Sequence, residues 1–578
     1  MSKICGVIED EVKKDDLDVL VSPMEKFRNY QKEYFLRENF GICRLFLKNE
    51  TSEIAENDNF TVVFSGYLLD FKKETNTAGE ILKLFSERKT DFIKELNGVF
   101  NIAIYDKNNQ TGYLINDRCG VSSLYYSSNH KRLIFASEVK SIIQDDSVSR
   151  GINWEAWRDY FSFRYILGEK TFFKNIKSLS NASILAFCKG EIKIENYWDY
   201  NSVKIDRKHD ISYFVNEGAN LIKQAVQKTA RGVSSPVCFL SGGYDSRCLA
   251  SSLTNYTDID YTTYTTEHPT GENDPIIAKQ VADKLGVKNI FVKHPADFYK
   301  KYFVKKIELT EGMSSEHIWS LPLAEYLKGE ETIFDGLAGD LLLKGLFLDN
   351  DNYKYINRPN KLAQIIFNQC GCSSFFIKQF FNKKIQKELK GGKRSLKDEL
   401  DKIPKNDNKV SIFFAANRTR NCLSLISGDI FANQIKRFPF LESKLVEFSL
   451  SIPPEIKVKD HIYLKILQNS FPEIMKLSST NDKRKSEKIN IIFEDLMIKT
   501  GLYSFSRTVF KNFFFAKYFT FKQSDILYIK SLVDKLEIPD YVDKEKILSY
   551  TKNSRFDFAF FSVIEFLVWY NLFCLKSI

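Results

Sequence analysis

Pro236-Val237-Cys238-Phe239-Leu240-Ser241-Gly242-Gly243-Tyr244-Asp245-Ser246-Arg247 is the stretch on which the fold turns. Four apolar residues, Val237 to Leu240, run straight into Ser-Gly-Gly, and apolar Cys248-Leu249-Ala250 follows. The pattern predicts a buried parallel strand, a tight turn and a helix start. Such a turn is an anion cradle: two glycines let the backbone approach a ligand closely, and N–H groups at the helix N-terminus point at whatever negative group sits there. Ser241 and Ser246 can add hydroxyl donors. Asp245 beside a phosphate makes sense chiefly if a divalent cation lies between the two negative groups. The phosphate loop G-x-x-x-x-G-K-[ST] is excluded, because no lysine follows the glycines.

Composition bounds the rest. A chain of 578 residues is long enough for two or more domains, and 43% hydrophobic residues can fill their cores. The net charge of +10 comes from 84 basic against 74 acidic residues spread along the chain, without aromatic-interleaved basic stripes, so nucleic acid is not the expected partner. Ten cysteines are scattered; only Cys370 and Cys372 are close, and their spacing is not that of a C-x-x-C metal or redox pair. Reduced cysteines and an N-terminus without an apolar signal core lead to the expectation of a cytoplasmic protein. The most hydrophobic segment, Phe556 to Leu575, carries Asp557 and Glu565 and reads as a buried terminal helix, not a membrane span.

The first ~200 residues contain short β-type runs, such as Thr61-Val62-Val63-Phe64 and Phe100 to Tyr105, separated by turns such as Asp106-Lys107-Asn108-Asn109. One helical pattern, Ala78 to Glu87, interrupts them, which suggests a layered sheet domain with a helix or two. Three blocks then occur in order: Leu96-Asn97-Gly98-Val99-Phe100; Asn116-Asp117-Arg118-Cys119-Gly120 with Leu124-Tyr125-Tyr126; and Ile134-Phe135-Ala136-Ser137-Glu138-Val139-Lys140. They resemble the glutaminase domain of glutamine-dependent asparagine synthetases. The resemblance implies an α+β sandwich of the N-terminal-nucleophile hydrolase type over residues 1–204. In that family the nucleophile is an N-terminal cysteine whose own α-amine serves as base.

Cys5-Gly6-Val7 matches the family's opening, but four residues precede it, so Cys5 can act that way only if Met1 to Ile4 are removed. The ordinary alternative is a small buried residue on a first strand. By the same resemblance Arg44 stands for the arginine that holds the glutamine carboxylate. Ser65 stands where an asparagine helps to form the oxyanion hole, and Ala78 replaces the aspartate that holds the substrate amine. The domain is therefore expected to keep its fold and lose its glutaminase chemistry.

A hairpin-like pair, Ile184 to Phe187 and Glu191 to Ile194, leads through Tyr197-Trp198-Asp199 to a boundary near residue 205. Beyond it come a helix with Phe214, Ala219, Ile222, Ala225 and Val226 facing a core, then the Ser241 loop and a strand from Ile259 to Thr265. A helix opened by Asn273-Asp274-Pro275 and a strand from Asn289 to Val292 follow. Repeated strand–helix units mean an α/β doubly wound parallel sheet, whose ligands bind beyond the C-terminal strand ends. The loop resembles the pyrophosphate loop of the ATP pyrophosphatase superfamily, S-G-G-x-D-S, and residues 205–578 resemble the synthetase domain of the asparagine synthetase family, ending in a helical part.

That resemblance implies ATP held by Leu240, Ser241, Gly242, Gly243, Asp245, Ser246, Thr266, Asp335 and Gly336; for Thr266 an ordinary strand-end threonine is an equal alternative. In Thr332-Ile333-Phe334-Asp335-Gly336-Leu337-Ala338-Gly339-Asp340, Asp340 falls on the aspartate that shares Mg²⁺ with Asp245, while Leu337 and Leu341 replace family acids. Arg437, in Arg437-Phe438-Pro439-Phe440-Leu441-Glu442, is left between substrate contact and packing. Lys483 and Lys485 are candidates for the family's pyrophosphate lysine, and the basic run from Lys383 to Lys397 is a solvated face. The expected activity is an AMP- and pyrophosphate-forming amide ligase. It would adenylate a small-molecule or peptide carboxylate and pass to it an amine, ammonia or the nitrogen of glutamine, with a homodimer left open. Ordinary glutamine-hydrolysing asparagine synthesis and a catalytically silent ATP-binding scaffold are the alternatives.

Overall fold

The computed structural model describes residues 2–48, 50, 53–71, 76–129, 131–267, 274–314, 317–327, 329, 331–372, 375–459, 461–480, 523–551 and 558–575. The strands of its first part are β1 (Lys3–Ile8), β2 (Gln31–Arg37), β3 (Phe40–Phe46), β4 (Ile54–Glu56), β5 (Phe60–Leu68), β6 (Gly98–Asp106), β7 (Thr111–Asn116), β8 (Tyr125–Ser128), β9 (Leu133–Ala136), β10 (Lys177–Ser178), β11 (Ser183–Cys188) and β12 (Glu191–Asn196). They form two antiparallel sheets, β10-β8-β9-β1-β3-β2 and β12-β11-β7-β6-β5-β4.

Alternating apolar residues explain why the sheets stack face to face. Ile4, Ile8, Ile42 and Phe135 of one interleave with Val63, Ala103, Leu114 and Leu185 of the other. Close approach also requires small residues: a Cβ on Gly112 of β7 would come within 2.1 Å of the Ile8 side chain. The helix Thr77–Arg88 covers the second sheet with Ala78, Ile81 and Phe85, spaced to share one face, and its N-cap Asn76 accepts the Gly79 N–H at 3.1 Å. Lys14–Glu25 packs Leu17, Leu20, Val21 and Met24 against the first sheet.

Beyond the β11–β12 hairpin comes a parallel sheet of β13 (Val237–Phe239), β14 (Thr262–Thr266), β15 (Lys288–Val292), β16 (Thr332–Phe334) and β17 (Ile435–Arg437), in the order β15-β14-β13-β16-β17. Adjacent residues face opposite sides: Val237 and Ile333 point into one core, Cys238 and Phe334 into the other. Helices cover both faces, Ile211–Ala230 and Tyr244–Tyr256 on one side and Phe298–Leu309 on the other. The core face of Ile211–Ala230 runs through Phe214, Gly218, Leu221, Ile222, Ala225 and Val226; Ala219 is only half-buried, because Ile466 packs onto Gly218 beside it. The strand expected from Ile259 begins at Thr262.

Strand order reverses at β13, with β14 and β15 on one side and β16 and β17 on the other. That reversal opens a crevice at the strand ends, where open α/β sheets take ligands. Helices make up the rest of the described chain, ending in Phe558–Trp569. This last helix is buried, and its Glu565 receives Arg164 at 2.6 Å, Lys306 at 3.3 Å and the Tyr160 hydroxyl at 3.1 Å. A buried carboxylate is tolerable only with such partners. Among the described residues no helix is long and apolar enough to cross a membrane.

The two parts are joined by buried polar contacts. Asn97 donates to Glu442 at 3.1 Å and accepts the Ser443 N–H at 3.0 Å, so the Leu96-Asn97-Gly98 block holds the Arg437–Glu442 block. Arg437 itself lies over the Tyr67 ring at 4.1 Å, a packing role.

Candidate active site

One cleft of about 350 Å³ opens at the C-terminal ends of β14, β13 and β16. Leu240, Ser241, Asp245, Ser246, Thr266, Asp335 and Gly336 all line it, so residues scattered over a hundred positions of sequence meet at one crevice. The Ser241 loop is a compact hydrogen-bonded unit: the Ser246 hydroxyl accepts the Ser241 N–H at 3.0 Å, and the Ser241 hydroxyl accepts the Gly243 N–H at 3.1 Å. Gly243, at the N-cap of Tyr244–Tyr256, brings no side chain to the helix end, which leaves the positive end of the helix dipole facing the turn.

Gly242 and Gly243 stand behind the lining. Gly242 donates its N–H to Asp274 at 2.8 Å, and a Cβ there would lie 2.5 Å from Asp274 Oδ1 and 2.6 Å from Thr480 Cγ2, so a larger residue would push both side chains aside. Arg247, buried, donates to the carbonyls of Leu477 at 2.9 Å and Ser478 at 2.6 Å, while Ser479 Oγ donates to Gly242 O at 3.0 Å. The helix after the loop thereby pins residues 477–480 over the turn. Asp274 also lines the cleft. The sequence marked it only as a helix start; its carboxylate on a loop N–H makes it a site residue that sequence reasoning missed.

The second loop closes on the first. A Cβ on Gly336 would be 3.3 Å from Asp245 Cβ, and one on Gly339 would be 2.9 Å from Asp245 Cγ. Ala338 adopts φ +74°, a left-handed turn that costs a residue with a Cβ about 1–2 kcal/mol and carries Leu337 into the cleft wall. Asp340 lies in the short helix Gly339–Leu342; its side chain, and all of Lys483 and Lys485, fall outside the described residues. The Thr266 hydroxyl donates to Val292 O at 2.9 Å, as a strand-end threonine does, while the residue still borders the cleft. Arg437 does not line it. His317, Trp319, Leu423 and Phe431 do, and no local sequence pattern pointed to them.

For a divalent cation the donor set fits in kind: the Asp245 carboxylate and the Ser241 and Ser246 hydroxyls are hard oxygen ligands in one cleft, and Gly336 and Gly339 leave the room around Asp245 that a Cβ would fill. Among the described residues no group of three or more His, Cys, Asp or Glu side chains is gathered to hold a metal ion.

The other candidate site is differently disposed. Cys5 sits in the middle of β1, paired with Cys43 and Ala136, and is wholly buried. Burial and the neighbouring Cys43 push its thiol well up, away from thiolate. The residues ahead of it are built into the fold. Ser65 Oγ donates to Ser2 O at 2.8 Å and lies 3.0 Å from Ser2 Oγ; Ile4 N donates to Ser137 Oγ at 3.0 Å. Lys3 reaches Asp429 at 2.7 Å and Glu138 at 3.3 Å. Burial works against both charges, but Arg28, Lys140 and Lys3 hold the Glu138 carboxyl below the usual range, and Asp429 and Glu138 keep Lys3 protonated. Arg44 is buried, with Nε on Phe64 O at 3.0 Å. Ala78 is buried, its N–H donated to Glu53 at 2.9 Å.

Two family models match this chain: one described as a glutamine amidotransferase domain over residues 64–198, the other as asparagine synthase over 217–420. Together they take in more than half of the sequence, including Ser65, Ala78 and the Ser241 and Asp335 turns, while Cys5 and Arg44 lie ahead of the first match. The chain belongs to the asparagine synthetase family. It is a divergent member. It is 27% identical over 245 residues to asparagine synthetase [glutamine-hydrolyzing] 2 of Bacillus subtilis (strain 168), covering 37% of this chain and 32% of that protein. Against asparagine synthetase [glutamine-hydrolyzing] 3 of the same organism identity is 28% over 212 residues, covering 34% of each. The amidase chry2 of Gibberella zeae is 26% identical over 251 residues, 39% of this chain and 36% of its own. The chain thus spans about a third of the length of these curated relatives.

Proposed function

We propose that this protein is an ATP-dependent, AMP- and pyrophosphate-forming carbon–nitrogen ligase that adenylates a carboxylate and joins ammonia or an amine to it. The observation that carries this reading is the single cleft at the strand-order reversal, where the Ser241–Ser246 turn, Thr266 and the Asp335–Gly336 turn face one another. A carboxylate is a poor acyl donor. Attack of its oxygen on the α-phosphate of ATP expels pyrophosphate and gives an acyl adenylate; the amine then adds to the acyl carbon and AMP leaves. The turn and its helix end stabilise charge gathering on the leaving pyrophosphate, and Ser241 and Ser246 orient it. Mg²⁺, held by Asp245 together with Asp340, would supply further charge neutralisation at the phosphates.

Free ammonia or an amine, not glutamine, is the expected nitrogen source. What favours this is Ser2, whose carbonyl and hydroxyl take up Ser65 at the oxyanion position, and the thiol of Cys5, kept protonated by burial. The test is exchange of labelled pyrophosphate into ATP by the full chain with Mg²⁺ and a panel of carboxylates. Carboxylate-dependent exchange is expected. Exchange with no carboxylate in the panel, combined with ATP binding, would favour a silent ATP-binding protein.

A further inference from the structure

The cleft is not uniform along its length. The loop hydroxyls and Asp245 lie over β13 and Thr266 lies over β14. On the remaining side, over β16, the wall is Leu337 and Ala338, closed by Leu423 and by Phe431, whose ring is 4.8 Å from that of Phe239. A nucleotide with its phosphates on the Ser241 turn and its nucleoside toward Thr266 leaves this apolar side for the acyl partner. We propose that the acyl substrate is an apolar monocarboxylic acid, with its hydrocarbon body against Leu337, Leu423 and Phe431; the assignment rests on the ligase reading above.

Charge supports the choice as much as apolarity does. Among the described residues lining the cleft the acidic side chains are Asp245, Asp274 and Asp335, and there is no lysine or arginine. One substrate carboxylate is accounted for by chemistry, since it becomes the adenylate. A second, as on aspartate, would be desolvated beside three acids, which is unfavourable. Hydrocarbon placed on the Leu337–Phe431 side instead gains the ordinary transfer free energy of apolar surface. The chemistry therefore selects a single carboxylate on a hydrophobic body.

The test is calorimetric titration of the full chain, saturated with Mg²⁺ and α,β-methylene-ATP, with hexanoate, octanoate and 3-phenylpropanoate, and separately with aspartate. At least one apolar acid is expected to bind tenfold or more tighter than aspartate. Leu337→Glu, at the rim of the wall, and Phe431→Ala, deeper within it, should each weaken that acid at least tenfold; the first guards against misfolding of the second. Equal or tighter binding of aspartate, no binding of any apolar acid, or apolar binding that the nucleotide abolishes would overturn the proposal. Its fate is separable from that of the ligase reading. An apolar acid bound without AMP formation from ATP would sink the ligase and leave this pocket, whereas AMP formed from aspartate would do the reverse.

Discussion

Gly339→Ala tests whether the two loops meet at Asp245. The new Cβ would lie 2.9 Å from both Cγ and Oδ1 of Asp245 and 3.1 Å from Phe440 Cε2. Comfortable contacts are about 3.5–4.0 Å, so the carboxylate must retreat by roughly half an ångström or more, Phe440 blocking the opposite escape. Displacing a catalytic group by about 1 Å costs ~10²-fold, so a loss of ~10- to 10²-fold in pyrophosphate release is expected. Stability should change little. Residue 339 is helical, where alanine gains about 1 kcal/mol over glycine, and this offsets part of an overpacking cost of about 1–3 kcal/mol. Gly79→Ala is the control: its nearest neighbour would be Asn76 Cβ at 3.9 Å, in a helix remote from the cleft, and it should leave the rate unchanged. The assay is continuous pyrophosphate release with a turned-over carboxylate, alongside a thermal melt. Gly339→Ala turning over at the parent rate would refute the claim that Asp245 works against the second loop.

Asp245→Asn and Asp340→Asn should each leave the melt within a few degrees of the parent while lowering pyrophosphate release by ~10³-fold, since both are proposed to support charge on the leaving group; parent-like rates would remove the shared-cation assignment. A chain starting at Cys5 should release no glutamate from glutamine and should lose about 3–5 kcal/mol in urea unfolding, because deleting Lys3 strips a cation from buried Asp429 and Glu138. Glutamate release by that chain would restore the glutaminase. Lys436, buried without a hydrogen-bond partner among the described residues, is pulled down to about 7 by burial. Between about pH 7 and 10 the unfolded chain holds a proton there that the folded chain has given up, so stability rises with pH across this window. Lys436→Met should accordingly raise the urea midpoint at pH 7.5, with a gain that shrinks toward pH 10; a gain independent of pH would contradict the assignment.

What could be read from the sequence was what is local in the chain. The apolar run into Ser241-Gly242-Gly243 fixed a strand, a turn and a helix because all three are encoded within twenty residues, and the β11–β12 hairpin was visible for the same reason. Pairings across long separations were not: β1 lies between β3 and β9, and no local pattern states that order. The role of Arg437, left between substrate and packing by its motif, is decided by Tyr67, 370 residues upstream. Asp274 could be seen as a helix opener, but its bond to Gly242 depends on how two strand ends align. Likewise Leu423 and Phe431, ordinary apolar residues in a helical region, become a substrate wall only where that region meets β13 and β16. The N-terminal extension gave a negative sign, a cysteine that is not first. That Ser2 and Lys3 would be woven into the sheet and the domain junction is a property of the packed state alone.

The central claim is that this cleft splits ATP between its α- and β-phosphates to make an amide. Phosphorus and proton NMR of the full chain with ATP, Mg²⁺, ammonium and the apolar carboxylates, run beside an identical sample with glutamine in place of ammonium, test it most directly. The account predicts AMP and pyrophosphate in equal amounts together with amide in the first sample, and no glutamate in the second. ADP and inorganic phosphate as the products, or amide formation that depends on glutamine hydrolysis, would contradict it.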